Sequence, residues 1–380
     1  MFPDVARGER PLRVLQMGPT APPGGVSNAV LGLSAELARQ GHEVRLIGDG
    51  GEQVYRATDA GAAYQHMAFP RRVRPLLKLV GEVRRVLAEF KPDLVHVHGR
   101  SQSMLCRLAG RPADWFTMHN VILTDRVAWY DRSLIRRFFS PVPRNIIACD
   151  EIAISYLKEH LGVDPKRTLI APYGIDDHRF SPADEATRRD LRASFGVGED
   201  ELMVLFVGRL HPQKNPESVV KLAAAAKQAG LDRVRFMMVG DGVLKASVQQ
   251  TIEGLDVADR VDLHGWSDPL PYYQAADLVV MPSRYEGWGL VAAEAMGCGT
   301  PVVRSRTGGF ELMIDEGETG FGCRADDDDD FVQTALAAIA DRATLASMRP
   351  AVREHAVERL SVRACTQFIV EAYRERLAAK

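Results

Sequence analysis

Short apolar runs alternate with longer stretches of helical spacing along most of this chain. Arg13 to Met17 (RVLQM) is one such run, and it ends in a Pro/Gly-rich loop, Gly18 to Gly25. Ser27 to Arg39 (SNAVLGLSAELAR) then repeats apolar positions every three to four residues, and Gly41 stands where a helix favours a glycine stop. His42 to Ile47 reads as the next strand, and Leu76 to Phe90 as an amphipathic basic helix stopped by Pro92. Leu94 to His98, Trp115 to Met118 and Asn145 to Ala148 are further strands. The pattern restarts with Leu202 to Val207 and Val234 to Val239, continuous apolar runs that mark strands buried on both faces. Val261 to Leu263, Leu278 to Met281 and Pro301 to Val303 follow. Such alternation predicts an α/β chain with two Rossmann-like, doubly wound parallel-sheet domains. Pro172 and Gly174 interrupt regular structure between them, giving domains of 1–172 and 173–361, with a last helix in 362–380 crossing back onto the first. Loops beyond the carboxyl ends of both sheets are then expected to meet in an interdomain cleft.

At 380 residues the length agrees with two domains, each with its own core. The balance of 48 Lys+Arg against 50 Asp+Glu, with 46% hydrophobic residues, excludes disorder, collagen and coiled coil. The near-neutral total hides a split. Residues 1–170 hold 24 Lys+Arg and 17 Asp+Glu, a charge of +7, and the remainder 24 and 33, a charge of −9. A basic half suggests an anionic partner. The five cysteines (Cys106, Cys149, Cys298, Cys323, Cys365) form no C-x-x-C pair and fit a reducing compartment. No apolar stretch reaches the roughly 18 residues of a membrane span, and no export signal is read at the start, so a cytoplasmic protein is expected.

Three loops carry candidate chemistry. Gly24-Gly25 opens a helix after the first strand, where bare N–H groups attract a phosphate; a turn needing positive φ is the alternative. Gly208-Arg209-Leu210 ends the first strand of the second half, and Lys214 follows, so two cations could converge on a diphosphate. Glu286-Gly287-Trp288-Gly289-Leu290 follows Leu278 to Met281 and opens a helix that carries Glu294 about one turn in. Carboxylates there accept hydrogen bonds from sugar hydroxyls. No P-loop Gly-Lys-Ser/Thr occurs, so a Walker nucleotide hydrolase is not expected.

In these segments the chain resembles glycosyltransferase family 4, the retaining, group 1 enzymes of the GT-B fold. The matching pieces run in order: PPGGVSNAV, PDLVHVHG, FTMHN, PYGIDDHRFSP, FVGRLHPQKNPE, MMVGDGVL and SRYEGWGLVAAEAMGCGTPVVRSRTGGFELM with GETGF. Glu286 and Glu294 are the family's paired-glutamate signature. The resemblance implies transfer of a hexose-type sugar from a UDP- or GDP-sugar to an acceptor hydroxyl, with retention. It implies an amino-terminal half that binds acceptor and a carboxyl-terminal half that binds donor. Gly24, Gly25, Arg209 and Lys214 would hold the diphosphate, with Gly208 and Gly240 in the strand-end loops. Glu294 would bind the ribose hydroxyls, Glu286 a sugar hydroxyl, and the backbone of Gly287, Trp288, Gly289 and Leu290 would line sugar and phosphate. His119 would lie beside the reacting carbon, and His98 and Arg100 are candidates to touch acceptor. Tyr173, Trp288 and Asn215 depart from the usual Asn, Phe and Gly.

Growing charge on such a departing diphosphate would be met by two cations and helix N–H groups. No Asp-x-Asp motif lies in a suitable loop, so neither a catalytic metal nor another cofactor is expected. His96 and His98 share a strand face, with no third ligand in view, and read as hydrogen-bonded histidines. Asp326 to Asp330 reads as acids at a helix N-terminus. Cys298 reads as packing. Arg71, Arg72, Arg74, Lys78, Arg84 and Arg85 leave a basic face as a candidate dock for anionic membrane at the inner face, whereas nothing patterns for nucleic acid. The competing functions are a nucleotide-sugar epimerase of the same architecture, a non-catalytic two-lobed sugar-binding protein and a silent sugar-nucleotide sensor.

Overall fold

The apolar runs become parallel strands of two separate sheets in a computed structural model that describes residues 10–21, 24–69, 77–119, 143, 145–148, 151–161, 163–171 and 173–379. The chain divides into two compact units: Met1–Gly174 with Val362–Lys380, and Ile175–Ser361. Pro172, Cys149, Leu76, Arg71, Arg72 and Arg74 lie outside the described residues.

The first unit holds β1 (Arg13–Met17), β2 (Glu43–Gly48), β3 (Ala63–His66), β4 (Leu94–Val97), β5 (Trp115–Met118), β6 (Asn145–Ala148) and β7 (Thr168–Ile170). Their order is β3-β2-β1-β4-β5-β6-β7, with β1 paired in parallel to both β2 and β4. The sheet's direction of growth therefore reverses between β1 and β4, the place where such sheets hold ligands. Side chains alternate faces. Leu15, Met17, Val95, Val97, Phe116 and Met118 pack on one core, whereas Val14, Leu94 and Trp115 pack on the other with Ile369, Val370 and Tyr373 of the C-terminal helix (Val362–Ala378). That helix also packs on α1 (Gly25–Arg39), so it belongs to the first unit. Each fully buried aliphatic side chain contributes about 1.5–3 kcal/mol, which fixes the register of both faces.

α2 (Val80–Phe90) buries Val83, Val86 and Phe90 and leaves Lys78, ahead of it, and Arg84 and Arg85 exposed. The second unit holds β8 (Leu202–Val207), β9 (Val234–Val239), β10 (Val261–His264), β11 (Leu278–Met281), β12 (Val302–Ser305) and β13 (Gly320–Cys323). Their order, β10-β9-β8-β11-β12-β13, repeats the same reversal, now between β8 and β11. Among the described residues no helix is long and apolar enough to cross a membrane. Cys106, Cys298, Cys323 and Cys365 are buried free thiols, and burial pushes Cys298 up to about 12, as a packed thiol behaves.

The aspartate run opens a helix. Asp327 caps α3 (Asp328–Ala340) by accepting the N–H of Asp330 at 3.0 Å. Asp328 reaches α4 (Pro216–Gln228), where Asn215, Ser218 and Lys221 all bond it. Burial works against its charge, yet these three partners hold its carboxyl down at about 2.

Candidate active site

In the second unit the chain leaves β8 at Gly208-Arg209 and makes one tight turn, Pro212–Lys214, before α4. Asn215 closes that turn at φ +51°, a conformation that glycine favours and asparagine tolerates, which explains asparagine where the family pattern has glycine. The turn is tied to the loop after the neighbouring strand β11. Arg209 donates to Gln213 Oε1 at 3.4 Å, Gln213 Nε2 donates to the carbonyl of Tyr285 at 3.2 Å, and Arg284 N–H donates to the carbonyl of Gln213 at 2.9 Å. Lys214 Nζ pairs with Glu286, whose Oε2 also accepts Ser283 Oγ at 3.3 Å. Lys214 and Glu286 are mostly buried, whereas Arg209 is exposed. Arg209, Lys214 and Glu286 are thus brought together at the reversal point of this sheet.

Two glycines hold these loops at contact. Gly208 N–H bonds the carbonyl of Val239, and a Cβ on Gly240, at φ +142°, would lie 1.9 Å from the carbonyl oxygen of Gly208. No larger residue fits at 240 unless the Arg209 loop moves.

Glu286 leads through Gly287 and Trp288 to Gly289 (φ +82°) and α5 (Leu290–Gly297), whose first N–H groups have no partner within the helix. Trp288 is 2% exposed and lies on Gly309, where a Cβ would clash with the indole at 2.4 Å; that glycine makes room for tryptophan in place of phenylalanine. Arg304 on β12, 1% exposed, donates to the carbonyls of Trp288 (3.2 Å), Thr307 (3.1 Å) and Gly308 (3.0 Å) and so fixes this loop from beneath. Burial draws its guanidinium down to about 10, with Glu286 opposing. Glu294 is half-buried on α5, and Tyr273 donates to its Oε2 at 3.0 Å. Burial pushes the Glu294 carboxyl up to about 7. Sequence reasoning missed Tyr273, Gln213 and Arg304. Only Arg304 left a signal, a charge inside an apolar strand run.

The first unit gathers a different set at its own reversal point. Gly24 is extended (φ 169°) and caps α1, and a Cβ there would meet nothing within 4 Å. The positive-φ alternative is thereby corrected: the backbone does not require glycine at 24. Asp49 Oδ1 holds the preceding loop through the N–H groups of Thr20 (2.7 Å) and Ala21 (3.0 Å). His98 follows β4 and His119 follows β5, both nearly buried, with His98 Nδ1 and His119 Nε2 2.9 Å apart. Tyr173 stacks on His119 with ring centroids 5.2 Å apart, giving the aromatic ring a packing role where the family pattern has asparagine. Burial lowers His119 and His96 to about 3 and holds His98 well below its ordinary value, so all three are neutral near pH 7. His96 and His98 are hydrogen-bonded, as read from the strand. Arg100 opens the helix Arg100–Leu108, half-buried. A cavity of about 30 Å³ lies against His98, His119, Thr117 and Tyr173, room for water rather than a sugar ring.

Two α/β units with this strand order, each carrying its polar site at the reversal point, define a GT-B protein. Comparisons with known proteins agree. A glycosyltransferase family 4 model matches residues 23–179, and a glycosyl transferases group 1 model matches residues 187–355. D-inositol 3-phosphate glycosyltransferase 1 of Catenulispora acidiphila is 30% identical over 311 residues, covering 73% of each chain. The chain belongs to glycosyltransferase family 4, group 1. D-inositol 3-phosphate glycosyltransferase of Geodermatophilus obscurus is 37% identical over 214 residues, 53% of this chain and 46% of that one. The chain thus spans about half the length of several curated relatives it matches. Anabaena HepE in complex with UDP shares the fold, with a TM-score of 0.78 at 21% identity, covering 95% of this chain and 99% of that one.

Proposed function

We propose that the protein transfers a hexose-type sugar from a nucleoside diphosphate sugar, UDP- or GDP-linked, to an acceptor hydroxyl, with retention at the anomeric carbon. The observation that carries this reading is the tie between two neighbouring strand-end loops, through Lys214–Glu286 and Arg209–Gln213–Tyr285. Two cations there meet the charge that develops as the diphosphate leaves, with the N–H groups of Gly287 to Leu290 beside them, and no metal is needed in this reading. Glu286, pre-aimed by Lys214 and Ser283, accepts a sugar hydroxyl. Glu294 keeps one oxygen on Tyr273 and offers the other to the ribose. In the first unit Gly24 and Gly25 present bare N–H groups to an anion, His119 offers a neutral imidazole to the acceptor hydroxyl, and His98 and Arg100 flank it.

A thermal-shift panel of nucleoside diphosphate sugars tests the reading, since a bound ligand raises the melting temperature by mass action. One donor should stand out, and UDP, the ligand of Anabaena HepE, is the first nucleotide to try. The donor found is then incubated with hydroxyl acceptors, beginning with D-inositol 3-phosphate from the relatives' names, and the product's configuration is read by NMR. No stabilising donor, or a sugar epimerised without acceptor, overturns the proposal. Exposed Lys78, Arg84 and Arg85 support docking of that face on anionic membrane; flotation with anionic liposomes should show salt-sensitive binding, and its lack retires that part.

A further inference from the structure

On the transferase reading Lys214 faces a diphosphate and Glu286 a sugar hydroxyl, yet without a ligand the two hold each other. Lys214 Nζ donates to Glu286 Oε2, and Ser283 Oγ donates to the same oxygen at 3.3 Å. Among the described residues Glu286 Oε1 takes no bond, and Lys214 Nζ has no second partner. Neither side chain is sealed from solvent: Lys214 is 15% and Glu286 13% exposed. Arg209, the other cation of the loop, is exposed and bonds only the neutral amide of Gln213. Arg304 lies beneath Glu286 but spends its hydrogens on the carbonyls of Trp288, Thr307 and Gly308. The two loop cations therefore differ. Arg209 carries its charge openly, whereas the charge of Lys214 is cancelled at contact by Glu286.

An anion that approaches a paired ammonium must share it with the carboxylate already there. In a site mostly closed to water, the displaced carboxylate recovers little from solvent, so the exchange is unfavourable. A free diphosphate brings nothing that satisfies Glu286. A sugar nucleotide does, because a sugar hydroxyl donates to the carboxylate while the phosphates take up Lys214.

We propose that the Lys214–Glu286 pair makes this site selective for the sugar-bearing nucleotide over the free nucleoside diphosphate: Glu286 withholds Lys214 from a diphosphate that carries no sugar, and so eases release of that product. The choice between nucleotides rests on the transferase reading, whereas the withholding of Lys214 rests on the ion pair alone. Calorimetric titration of the whole chain with inorganic pyrophosphate, UDP and UDP-glucose tests both. Glu286→Gln keeps the shape and removes the charge. It should tighten pyrophosphate and UDP about tenfold each, a gain where loss of a plain binding residue gives none, and should not tighten UDP-glucose. No gain for pyrophosphate and UDP, or an equal gain for UDP-glucose, overturns the proposal. Lys214→Met should weaken UDP about tenfold more in the Glu286→Gln background than in wild type, since only there is the ammonium released. Equal losses in the two backgrounds also overturn it. Should Glu286→Gln not fold, Glu286→Ala removes the same charge and is read in the same way. A failed donor panel sinks the transferase reading and leaves the pyrophosphate gain standing; a productive panel without that gain sinks only the selectivity.

Discussion

The two units share one strand order and put their polar residues at the same reversal point, yet the chemistry gathered there is opposite. In the second unit the groups are charged and paired, Lys214 with Glu286, with Arg209 exposed beside them. In the first they are neutral and buried, a row of imidazoles with charge removed by desolvation. Topology chooses the place, and burial chooses the chemistry. On the proposed function, the charged pair would meet a departing anion and the neutral imidazoles a hydroxyl.

The sharpest break of this contrast is removal of the countercharge. Arg209→Ala and Lys214→Ala should each lower kcat about 10²–10³-fold, a loss of ~3–4 kcal/mol of barrier lowering, with near-wild-type circular dichroism. Wild-type turnover in both would erase the distinction. His119→Ala should lower kcat about 10²-fold, within the range of general acid–base groups, while UDP binding by calorimetry stays the same. Equal loss of both would move His119 to the donor's side. Gly240→Ala should destabilise the second unit by about 2–3 kcal/mol, the size of forced local strain, seen as a lower urea midpoint.

The smallest effect concerns pH, and there the two sites differ in sign. Native Glu294 binds its proton up to about 7 against an ordinary 4.5, so its contribution to stability is full below 4.5 and is lost as pH rises through 7. The histidines are depressed, so theirs is full above 6.5 and is lost as pH falls toward 3. Glu294→Gln should therefore gain melting temperature over wild type at pH 8 and not at pH 5. A gain that is equal at both pH values would remove the buried carboxylate from the account.

Much of this was legible in the chain. The central strands stood out because burial on both faces leaves an unbroken apolar run, as in Leu202 to Val207. β3 (AYQH), β7 (TLI) and β13 (GFGC) did not, because each lies at a sheet edge, where polar residues and glycine are tolerated. Glu286 and Glu294 were legible through their spacing around Gly-Trp-Gly. The ion pair of Lys214 with Glu286 was not, since 72 residues separate partners that only the neighbouring of β8 and β11 brings together. Tyr273 and Tyr373 were silent for the same reason. Each reads as an ordinary helical aromatic until the tertiary fold gives its hydroxyl a partner.

The first unit is not one stretch of chain: it is interrupted by the whole of Ile175–Ser361 and completed by Val362–Lys380. During synthesis the second unit is translated entire while the first still lacks its closing helix, so the packing of the first unit is completed last. Until Tyr373 has been translated, His96 lacks its phenol partner, and the apolar flank of Val14, Leu31 and Trp115 lacks the helix that packs on it.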